Sequence, residues 1–512
     1  MRPFLFLFCL IAAPCVLAAG EEDRLNIVLI VTDDHRYDAM GFMGHPFLET
    51  PNLDSLAAHG VRMDRAYVTT SLCSPSRASI ITGLYAHNHG VVDNYNPVSP
   101  ELRFFPEWLQ EAGYATAFIG KWHMGAVDDP QKGFDHWVSF AGQGVYAPDP
   151  SQLRVKGRYV PQANNTGFNV NGERVEQRGY ITDELTDYTL DWLETREEAA
   201  EPFFLYVSHK AAHADFLPAN RHAFRYEEAR VERPPTPQTN PDLYLDPPMW
   251  VLNQRNSRHG VDFAYYTELD LAQAYRRYCE TLLAVDESVG RMMEVLRNRP
   301  DWERTLIIYM GDNGFLFGEH GLIDKRCAYD PSVRIPLLLH CPRELPSGTI
   351  LNSVVGNIDI APTILEAAGV SSPAGLDGES FWSLARGETS KWRDYLLYEY
   401  AWERNYPQTP TMHALLGSRY KYIRHHGVWD IDALYDLETD PQERHNLIAD
   451  PEHAERVAMF NEALFRRLQE TGGDTLALRP DRGTQFFHRK SSGARGVDFP
   501  NRFYREADQT GR

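Results

Sequence analysis

Four side chains that carry oxygen atoms occur as two pairs of consecutive residues, and each pair directly follows an apolar run. They are Asp33, Asp34, Asp312 and Asn313. Three carboxylates and an amide form an all-oxygen set that suits Ca²⁺ or Mg²⁺ better than Zn²⁺. Without a cation, three carboxylates packed together would repel one another. Asp and Asn are also common at helix caps and turns, but the repeated placement favours a metal site.

A second motif, Cys73-Ser74-Pro75-Ser76-Arg77, opens a helix-forming stretch. Ser74 has the side chain of an N-cap, and Pro75 suits the first helical position. Cys73 would then lie beside a helix amino end, which favours an anion, and Arg77 adds a planar donor fork for an oxyanion. The alternatives are a buried structural cysteine and a phosphatase-type thiolate, although the thiolate motif needs a longer spacer between Cys and Arg.

Cationic and proton-transferring side chains follow further apolar runs. The main candidates at these run ends are Lys121, His123 and His213, and the weaker ones are His209 and Lys210; His320 and Tyr329 are weaker candidates elsewhere in the chain. Such groups can neutralise a bound oxyanion or move a proton. Solvated lysines and structural histidines are the alternatives. Their repeated placement after apolar runs favours a shared site.

The elements that must position these residues alternate between strands and helices. The near-continuous apolar runs, which predict buried parallel strands, are 26–32, 115–119, 203–207 and 305–310. The helical stretches between them are 52–59, 76–82, 183–194 and 271–296. This alternation predicts an α/β fold with a mostly parallel sheet. In such sheets the site lies beyond the carboxyl ends of the strands, where the polar clusters stand.

The pattern changes after residue 385. The segments 396–400, 413–416, 420–424 and 434–437 have the pattern of short antiparallel strands. An amphipathic helix follows at 451–470, with one apolar face formed by Val457, Phe460, Leu464 and Leu468. We therefore predict a catalytic domain over 20–385 and a smaller α+β domain, an antiparallel sheet plus a helix, within 386–512.

Composition and the amino terminus bound the class of protein. The chain has 512 residues and a formal net charge of −20, which opposes nucleic-acid binding. Residues 1–19 have a basic start, a short apolar run and small residues at 18–19, which predicts a cleaved signal peptide and export to the periplasm or medium. The run is short for a membrane span. One glycosylation sequon, 164–166, favours a bacterial source. Cys327 and Cys341 are candidates for a disulfide.

Several of these motifs together resemble one family. Cys73-x-Pro75-x-Arg77 resembles the signature of the type I sulfatases, in the alkaline-phosphatase-like superfamily. The resemblance extends over 25–345 and includes Asp33-Asp34 and the blocks 120–125, 311–314 and 324–326. The segments 169–172 and 277–289 resemble the N-acetylglucosamine-6-sulfatases within that family.

The resemblance implies a fold, a modification and a mechanism. The fold would be a mixed, mostly parallel sheet sandwiched by helices. A maturation enzyme would oxidise Cys73 to formylglycine, whose hydrate attacks sulfur and later expels sulfate as the aldehyde reforms. The implied Ca²⁺ ligands are Asp33, Asp34, Asp312, Asn313 and the modified Cys73. The implied catalytic residues are Arg77 and Lys121, which hold formylglycine, His123, which accepts a proton, and His213 and Lys325, which contact sulfate.

The substrate is less constrained by the sequence. A sulfated carbohydrate, such as a polysaccharide or its oligosaccharides, fits two variable segments, 141–179 and 218–270, whose candidate sugar contacts are Tyr146, Arg154, Lys156, Arg158, Arg174, Arg178 and Trp250. His35 stands where many family members have Gln or Asn, and Ala212 stands where many have Pro. The rival functions are a phosphonate or phosphate ester hydrolase of the same superfamily and a catalytically silent glycan-binding protein.

Overall fold

The computed structural model describes residues 24–149, 153–154, 167–197, 199, 201–257, 259–261, 270–403, 406–426 and 430–475. The predicted signal peptide, the sequon at 164–166, Lys156, Arg158 and the tail from 479 lie outside the described residues. None of the helices in the described ranges is both long and apolar enough to cross a membrane.

Sixteen strands and eleven α-helices occur within these ranges. The strands are β1 (Asn26–Thr32), β2 (Val61–Tyr67), β3 (Ala115–Gly120), β4 (His136–Ser139), β5 (Phe168–Val170), β6 (Glu173–Val175), β7 (Phe203–His209), β8 (Thr305–Gly311), β9 (Leu316–Phe317), β10 (Ile323–Asp324), β11 (Leu337–His340), β12 (Thr349–Gly356), β13 (Tyr395–Tyr400), β14 (Thr411–Gly417), β15 (Tyr420–His426) and β16 (Ala433–Asp436). The helices are α1 (Pro51–Ala58), α2 (Cys73–Thr82), α3 (Ala86–His89), α4 (Phe105–Glu111), α5 (Ile181–Glu194), α6 (Met249–Leu252), α7 (Leu271–Arg297), α8 (Asp330–Val333), α9 (Ile360–Ala367), α10 (Trp382–Ala385) and α11 (Ala454–Thr471).

Ten of the described strands form one mixed sheet in the order β12-β2-β11-β8-β1-β7-β3-β4-β5-β6. The central strands β8, β1, β7, β3 and β4 are parallel, as are β12 and β2. The strand β11 runs antiparallel to both neighbours, and β5 and β6 form an antiparallel edge. The predicted mostly parallel α/β sheet is confirmed, and the four predicted strands are β1, β3, β7 and β8.

Helices cover both faces of this sheet. Along β1, Ile27, Leu29 and Val31 belong to one hydrophobic core, whereas Val28 and Ile30 belong to another. This alternation follows from the pleat, which sends successive side chains to opposite faces. The helices α1, α5 and α7 pack on the second face, and α2, α4 and α9 pack on the first. Burial on both faces explains why these strands are continuously apolar.

The carboxy-terminal region contains a separate four-stranded antiparallel sheet in the order β13-β14-β15-β16. The helix α11 packs on it through Phe460, Leu464 and Leu468, which are buried. Val457 is only partly buried against the same core. The predicted α+β arrangement is confirmed, and the domain boundary at residue 385 stays a prediction.

Candidate active site

The carboxyl ends of four adjacent strands, β8, β1, β7 and β3, meet at one edge of the large sheet. Backbone hydrogen bonds continue past the strand ends and fix the residues that follow. The Asp33 amide donates to the Ala211 carbonyl oxygen at 2.9 Å, and the Asp312 amide donates to that of Thr32 at 3.1 Å. Segments that are almost three hundred residues apart in sequence are thereby brought together.

The three predicted acidic residues form one buried group. Oxygen atoms of Asp33, Asp34 and Asp312 all lie within 4.8 Å of one another. The Asp34 amide donates to Oδ1 of Asp312 at 3.0 Å, and Nδ2 of Asn313 donates to Oδ1 of Asp34 at 2.6 Å. The structure therefore brings together all four of the predicted oxygen ligands.

Two acceptor atoms of this group are unsatisfied. Oδ2 of Asp34 and Oδ1 of Asn313 are buried without a hydrogen-bond partner among the described residues. Burial raises the pKa of Asp34 to about 7, with Lys325 opposing the shift and Asp33 and Asp312 adding to it. Buried acceptors without donors are costly, and a hard divalent cation would satisfy them. The residues present fit Ca²⁺.

The helix α2 begins at Cys73, one residue earlier than its predicted cap. Leu72 is the N-cap residue and provides no side-chain bond. The prediction that Ser74 caps the helix is wrong, because its hydroxyl donates instead to the His123 carbonyl oxygen. Pro75 occupies the third helical position, not the first, where its missing N–H still removes no intrahelical bond. The sequence predicts Cys73 just before the helix, and it instead forms the first helical residue, but it lies at the amino end in either case.

The Cys73 thiol lies between the acidic group and a lysine. Nζ of Lys325 is 2.9 Å from the Cys73 sulfur, and the sulfur is 3.4 Å from Oδ1 of Asp33. Burial and the Asp33 charge raise the pKa of the Cys73 thiol to about 12, although Lys121 and Lys325 oppose the shift. The unmodified side chain therefore stays a thiol at neutral pH, unlike the thiolate of a cysteine phosphatase.

One cation faces each carboxylate. Lys121 pairs with Asp33 and Lys325 pairs with Asp34. Nη2 of Arg77 lies 2.8 Å from Oδ2 of Asp312. These pairs lie in the interior, where attraction between opposite charges is strong and a lost partner is costly.

Burial and Lys121 lower the pKa of His123 well below its ordinary value. Burial also lowers the pKa of His213, and the charge of Lys121 adds to the shift. Both imidazoles are therefore neutral at pH 7. The ring of His213 lies with Asp33 and Cys73 in a group whose ligand atoms are within 4.8 Å of one another. Each histidine can accept a proton at the site.

Most of the weaker candidates have structural partners. Nε2 of His209 is 3.3 Å from the Ser288 hydroxyl. The ring of His320 stacks on Tyr329 at 3.8 Å between centroids. Lys210 differs, because its Nζ is buried without a hydrogen-bond partner in the described ranges and lies 4.6 Å from a ring centroid.

His35 and Ala212, the two departures from the family pattern, both make hydrogen bonds within the fold. Nδ1 of His35 is 2.7 Å from the Tyr309 hydroxyl, and Nε2 is 3.0 Å from the Ala39 carbonyl oxygen. Both of its nitrogens are thus occupied within the fold. Ala212 is fully buried, and its amide donates to the Asp33 carbonyl oxygen at 2.7 Å.

The residues predicted to contact a sugar have mixed outcomes. The Tyr146 hydroxyl donates to the His213 carbonyl oxygen at 2.6 Å, which places this ring beside the site. Arg174 pairs with Asp128, so its charge is neutralised. Trp250 is buried, which excludes it as an exposed stacking surface. Arg154 lies over an aromatic ring, 5.4 Å from the Phe224 centroid.

The four described cysteines are free, so the proposed pairing of Cys327 with Cys341 is not formed.

Sequence reasoning missed two polar residues at this site. The Ser208 hydroxyl donates to the Lys121 carbonyl oxygen at 2.8 Å and accepts from Nη1 of Arg77 at 2.5 Å. Oε1 of Gln143 accepts from Nζ of Lys121 at 2.6 Å, and Nε2 of Gln143 is 3.1 Å from Nε2 of His123. Ser208 stands at a predicted strand end, and Gln143 lies between two glycines, which were the available signals.

The fold and site define an alkaline-phosphatase-like hydrolase with a buried acidic group at its strand ends. The Sulfatase family model matches residues 25–370, and the N-sulphoglucosamine sulphohydrolase C-terminal model matches residues 318–470. The chain belongs to the sulfatase family and is a sulfuric ester hydrolase.

Named relatives and a solved structure agree with this membership. The N-acetylglucosamine-6-O-sulfatase of Bacteroides thetaiotaomicron is 31% identical over 90% of this chain and 88% of its own length. The human N-acetylglucosamine-6-sulfatase is 30% identical over 78% of this chain and 71% of its own length. A solved structure of a protein in complex with its substrate D-glucosamine-2-N,6-O-disulfate has a TM-score of 0.75 at 28% identity, covering 89% of this chain and 100% of that chain.

Proposed function

We propose that this sulfatase is exported and hydrolyses sulfate esters of carbohydrates to an alcohol and inorganic sulfate. The substrate class is 6-O-sulfated glucosamine units of a polysaccharide or its oligosaccharides. The observation that carries the reaction is the Cys73 side chain, held in the first turn of α2 between Lys325 and Asp33. The named activities of two relatives and the substrate bound to the structural neighbour support the sugar.

Two groups would complete the site. Formylglycine, made from Cys73 by a maturation enzyme, would supply a hydrated aldehyde as the nucleophile. A Ca²⁺ ion would supply positive charge next to that nucleophile and the bound sulfate. The residues that would hold the ion are Asp33, Asp34, Asp312, Asn313 and the modified residue 73.

The cations of the site would orient residue 73 and the sulfate. Arg77 is fixed by Asp312 and by the Lys121 carbonyl oxygen, at 2.8 and 2.7 Å. Lys121 contacts the Asp33 carboxylate and the Gln143 amide. Lys325 contacts the Asp34 carboxylate and the Cys73 sulfur. Because these cations are already in position, they need little reorganisation to stabilise negative charge that develops on sulfate oxygens.

The two histidines would move protons. His123 is neutral and would accept the proton of the nucleophilic hydroxyl. Nδ1 of His213 lies 2.6 Å from the Ala214 carbonyl oxygen, which can only accept, so Nδ1 carries the proton and Nε2 carries the lone pair. Lys325 has a pKa well above its ordinary value because Asp34 and its other anionic neighbours outweigh the cost of burial. Lys325 is therefore protonated and would donate to the leaving oxygen.

The test uses protein made in a host with a maturation system and supplied with Ca²⁺. The substrates are N-acetylglucosamine-6-sulfate, glucosamine-2-N,6-O-disulfate, galactose-6-sulfate, an aryl sulfate, a phosphate diester and a phosphonate monoester. We expect the 6-sulfated glucosamines to give the highest kcat/KM, and the Cys73→Ala variant to give none. Faster turnover of the phosphonate or phosphate ester would overturn the proposal. Binding of the sugars with no turnover of any ester would indicate a glycan-binding protein.

Mass spectrometry tests the modification and the export separately. Conversion of the –CH₂SH group of Cys73 to –CHO oxidises the Cβ carbon, replaces sulfur by oxygen and removes two hydrogens, which lowers the peptide mass by about 18 Da. An unmodified thiol in fully active protein would contradict the formylglycine proposal. An amino terminus that still contains residues 1–19 in protein from the culture medium or periplasm would contradict the signal peptide.

A further inference from the structure

Gln143 reaches the site from the loop that connects β4 to β5. It is flanked by Gly142 and Gly144, whose φ values of 55° and 59° favour glycine. A Cβ at Gly144 would lie 2.5 Å from a ring carbon of Phe140, so a larger residue cannot be accommodated without movement. The loop conformation is thus specified on both sides of the glutamine.

The amide of Gln143 can face its neighbours in only one way. The Lys121 ammonium has donors and no acceptor, so the Gln143 atom at 2.6 Å from it must be the carbonyl oxygen Oε1. The NH₂ group of Gln143 therefore faces Nε2 of His123 at 3.1 Å. An NH₂ group only donates, which requires Nε2 of His123 to be the acceptor.

The tautomer of His123 follows from this contact. If Nε2 carries the lone pair of the neutral ring, the proton is on Nδ1. A doubly protonated ring would direct its Nε2–H at the Gln143 N–H. The lowered pKa of His123, which burial and the charge of Lys121 cause, agrees with the neutral form.

We propose that Gln143 is a positioning residue that holds His123 as the neutral Nδ1–H tautomer while its carbonyl oxygen fixes the ammonium of Lys121. This inference concerns how the proton acceptor of the proposed sulfatase reaction is set, and it rests on that proposal for its catalytic meaning. A proton that His123 takes from the nucleophilic hydroxyl must bind at Nε2, which breaks the hydrogen bond from Gln143. When that proton leaves His123 for solvent, the hydrogen bond re-forms and the neutral base is restored.

The first test is spectroscopic and needs no turnover. Protein with ¹⁵N-labelled histidine is compared with its His123→Gln variant, which identifies the two His123 ring signals. We expect one signal with the shift of a protonated nitrogen, at Nδ1, and one with that of an unprotonated nitrogen, at Nε2, near pH 7. A protonated Nε2 in the unaltered protein would overturn the inference.

Two variants of Gln143 sharpen this test. Gln143→Glu keeps an oxygen toward Lys121 and replaces the donor toward His123 by an acceptor, so Nε2 of His123 should become protonated. Unchanged His123 signals in this variant would also overturn the inference. Gln254→Met is the matched control, because Gln254 is a fully buried glutamine that donates to Thr409, and it should leave the His123 signals unchanged.

Kinetics then separate positioning from packing. Gln143→Met keeps a similar length and loses both contacts, and we expect kcat to fall by about 10- to 100-fold because the base and the lysine lose their orientation. KM should change less than the rate does, and the thermal midpoint should stay close to that of the unaltered protein. An unchanged kcat would overturn the positioning role. If no ester is hydrolysed by any form, the proposed function fails, while the ring signals still decide the tautomer.

Discussion

Two clusters of buried charge in this molecule use the same residue types for different ends. The catalytic cluster pairs Asp33, Asp34 and Asp312 with Lys121, Lys325 and Arg77. The second cluster, which we call the junction cluster, consists of Asp330, Arg334, Lys421 and Glu443. Through Asp330 and Lys421 it joins α8 to β15 of the carboxy-terminal sheet.

The difference lies in how completely their oxygen atoms are partnered. In the junction cluster, Nζ of Lys421 lies 2.6 Å from Asp330 and 2.7 Å from Glu443. The other oxygen of Glu443 accepts from the Asp330 amide at 2.6 Å, and Arg334 lies 3.5 Å from the other oxygen of Asp330. Each carboxylate oxygen there lies near a cation or an amide, although the contact of Oε1 of Glu443 with Lys421 is an ion pair without a hydrogen bond. In the catalytic cluster two neighbouring acceptors, Oδ2 of Asp34 and Oδ1 of Asn313, lack a hydrogen-bond partner in the described part of the chain. Carboxylates that share one cation are typical of structure, and two unsatisfied acceptors side by side indicate a ligand.

The largest expected effect separates activity from stability at the catalytic cluster. Cys73→Ala should lower kcat by about 10³-fold or more because it removes the nucleophile. The unfolding midpoint should change little, since the ion pairs remain. Activity assays with a 6-sulfated glucosamine and a thermal melt measure the two quantities. Cys279→Ala, at another buried free cysteine, is the control and should keep its activity. Retained turnover in Cys73→Ala would refute the role of residue 73.

The junction cluster should respond in the opposite way. Lys421→Met leaves Asp330 and Glu443 buried without their shared cation, and breaking such a cluster costs about 3–5 kcal/mol of unfolding free energy. Chemical denaturation measures this loss. Arg419→Met removes the cation of a pair with Asp436 whose arginine side chain is 52% exposed, and it should cost far less than Lys421→Met because solvent screens an exposed pair. Equal losses in both variants would remove the distinction between the clusters.

Metal addition should stabilise the protein through the catalytic cluster alone. A ligand that binds only the folded state adds about 2.7 kcal/mol at a concentration a hundred times its Kd. After EGTA treatment, added Ca²⁺ should therefore raise the unfolding midpoint, and Asp312→Asn should abolish the gain. Asp330→Asn lowers the baseline stability but should keep the Ca²⁺-dependent gain. A Ca²⁺ response that survives in Asp312→Asn would exclude Asp312 from the ligands.

The smallest effect concerns pH. Burial raises the pKa of Glu443 to about 7 from its ordinary 4.5, with Lys421 opposing the shift and Asp330 adding to it. Between pH 4.5 and about 7, Glu443 binds more protons in the folded protein than in the unfolded chain. The contribution of this group to the free energy of unfolding therefore falls as pH rises toward 7. Glu443→Gln should flatten the decline by about 1–3 kcal/mol between pH 5 and 7. Denaturation at several pH values measures the difference, and parallel curves would contradict it.

Much of the fold and site follows from local sequence signals. The runs that form β1, β3, β7 and β8 are long and apolar because both faces are buried, and polar residues mark their ends. The start of α2 could not be predicted from local capping rules, because the Ser74 hydroxyl bonds to the distant His123 carbonyl oxygen. The antiparallel strand β11 is four residues long, too short for a periodic signal. Gln143 contacts Lys121 and His123 through the course of an irregular loop, which residue patterns do not reveal. The junction cluster depends on contacts between segments far apart in the chain.

The central position of β1 has a consequence for the chain as it is synthesised. Its partners are β7 and β8, which begin at residues 203 and 305. A ribosome that adds roughly 5–20 residues per second releases β1 long before either partner. This strand, whose seven residues are all buried in the folded protein, therefore waits as an exposed apolar segment for tens of seconds. Such a topology makes folding slow and gives chaperones a defined segment to protect.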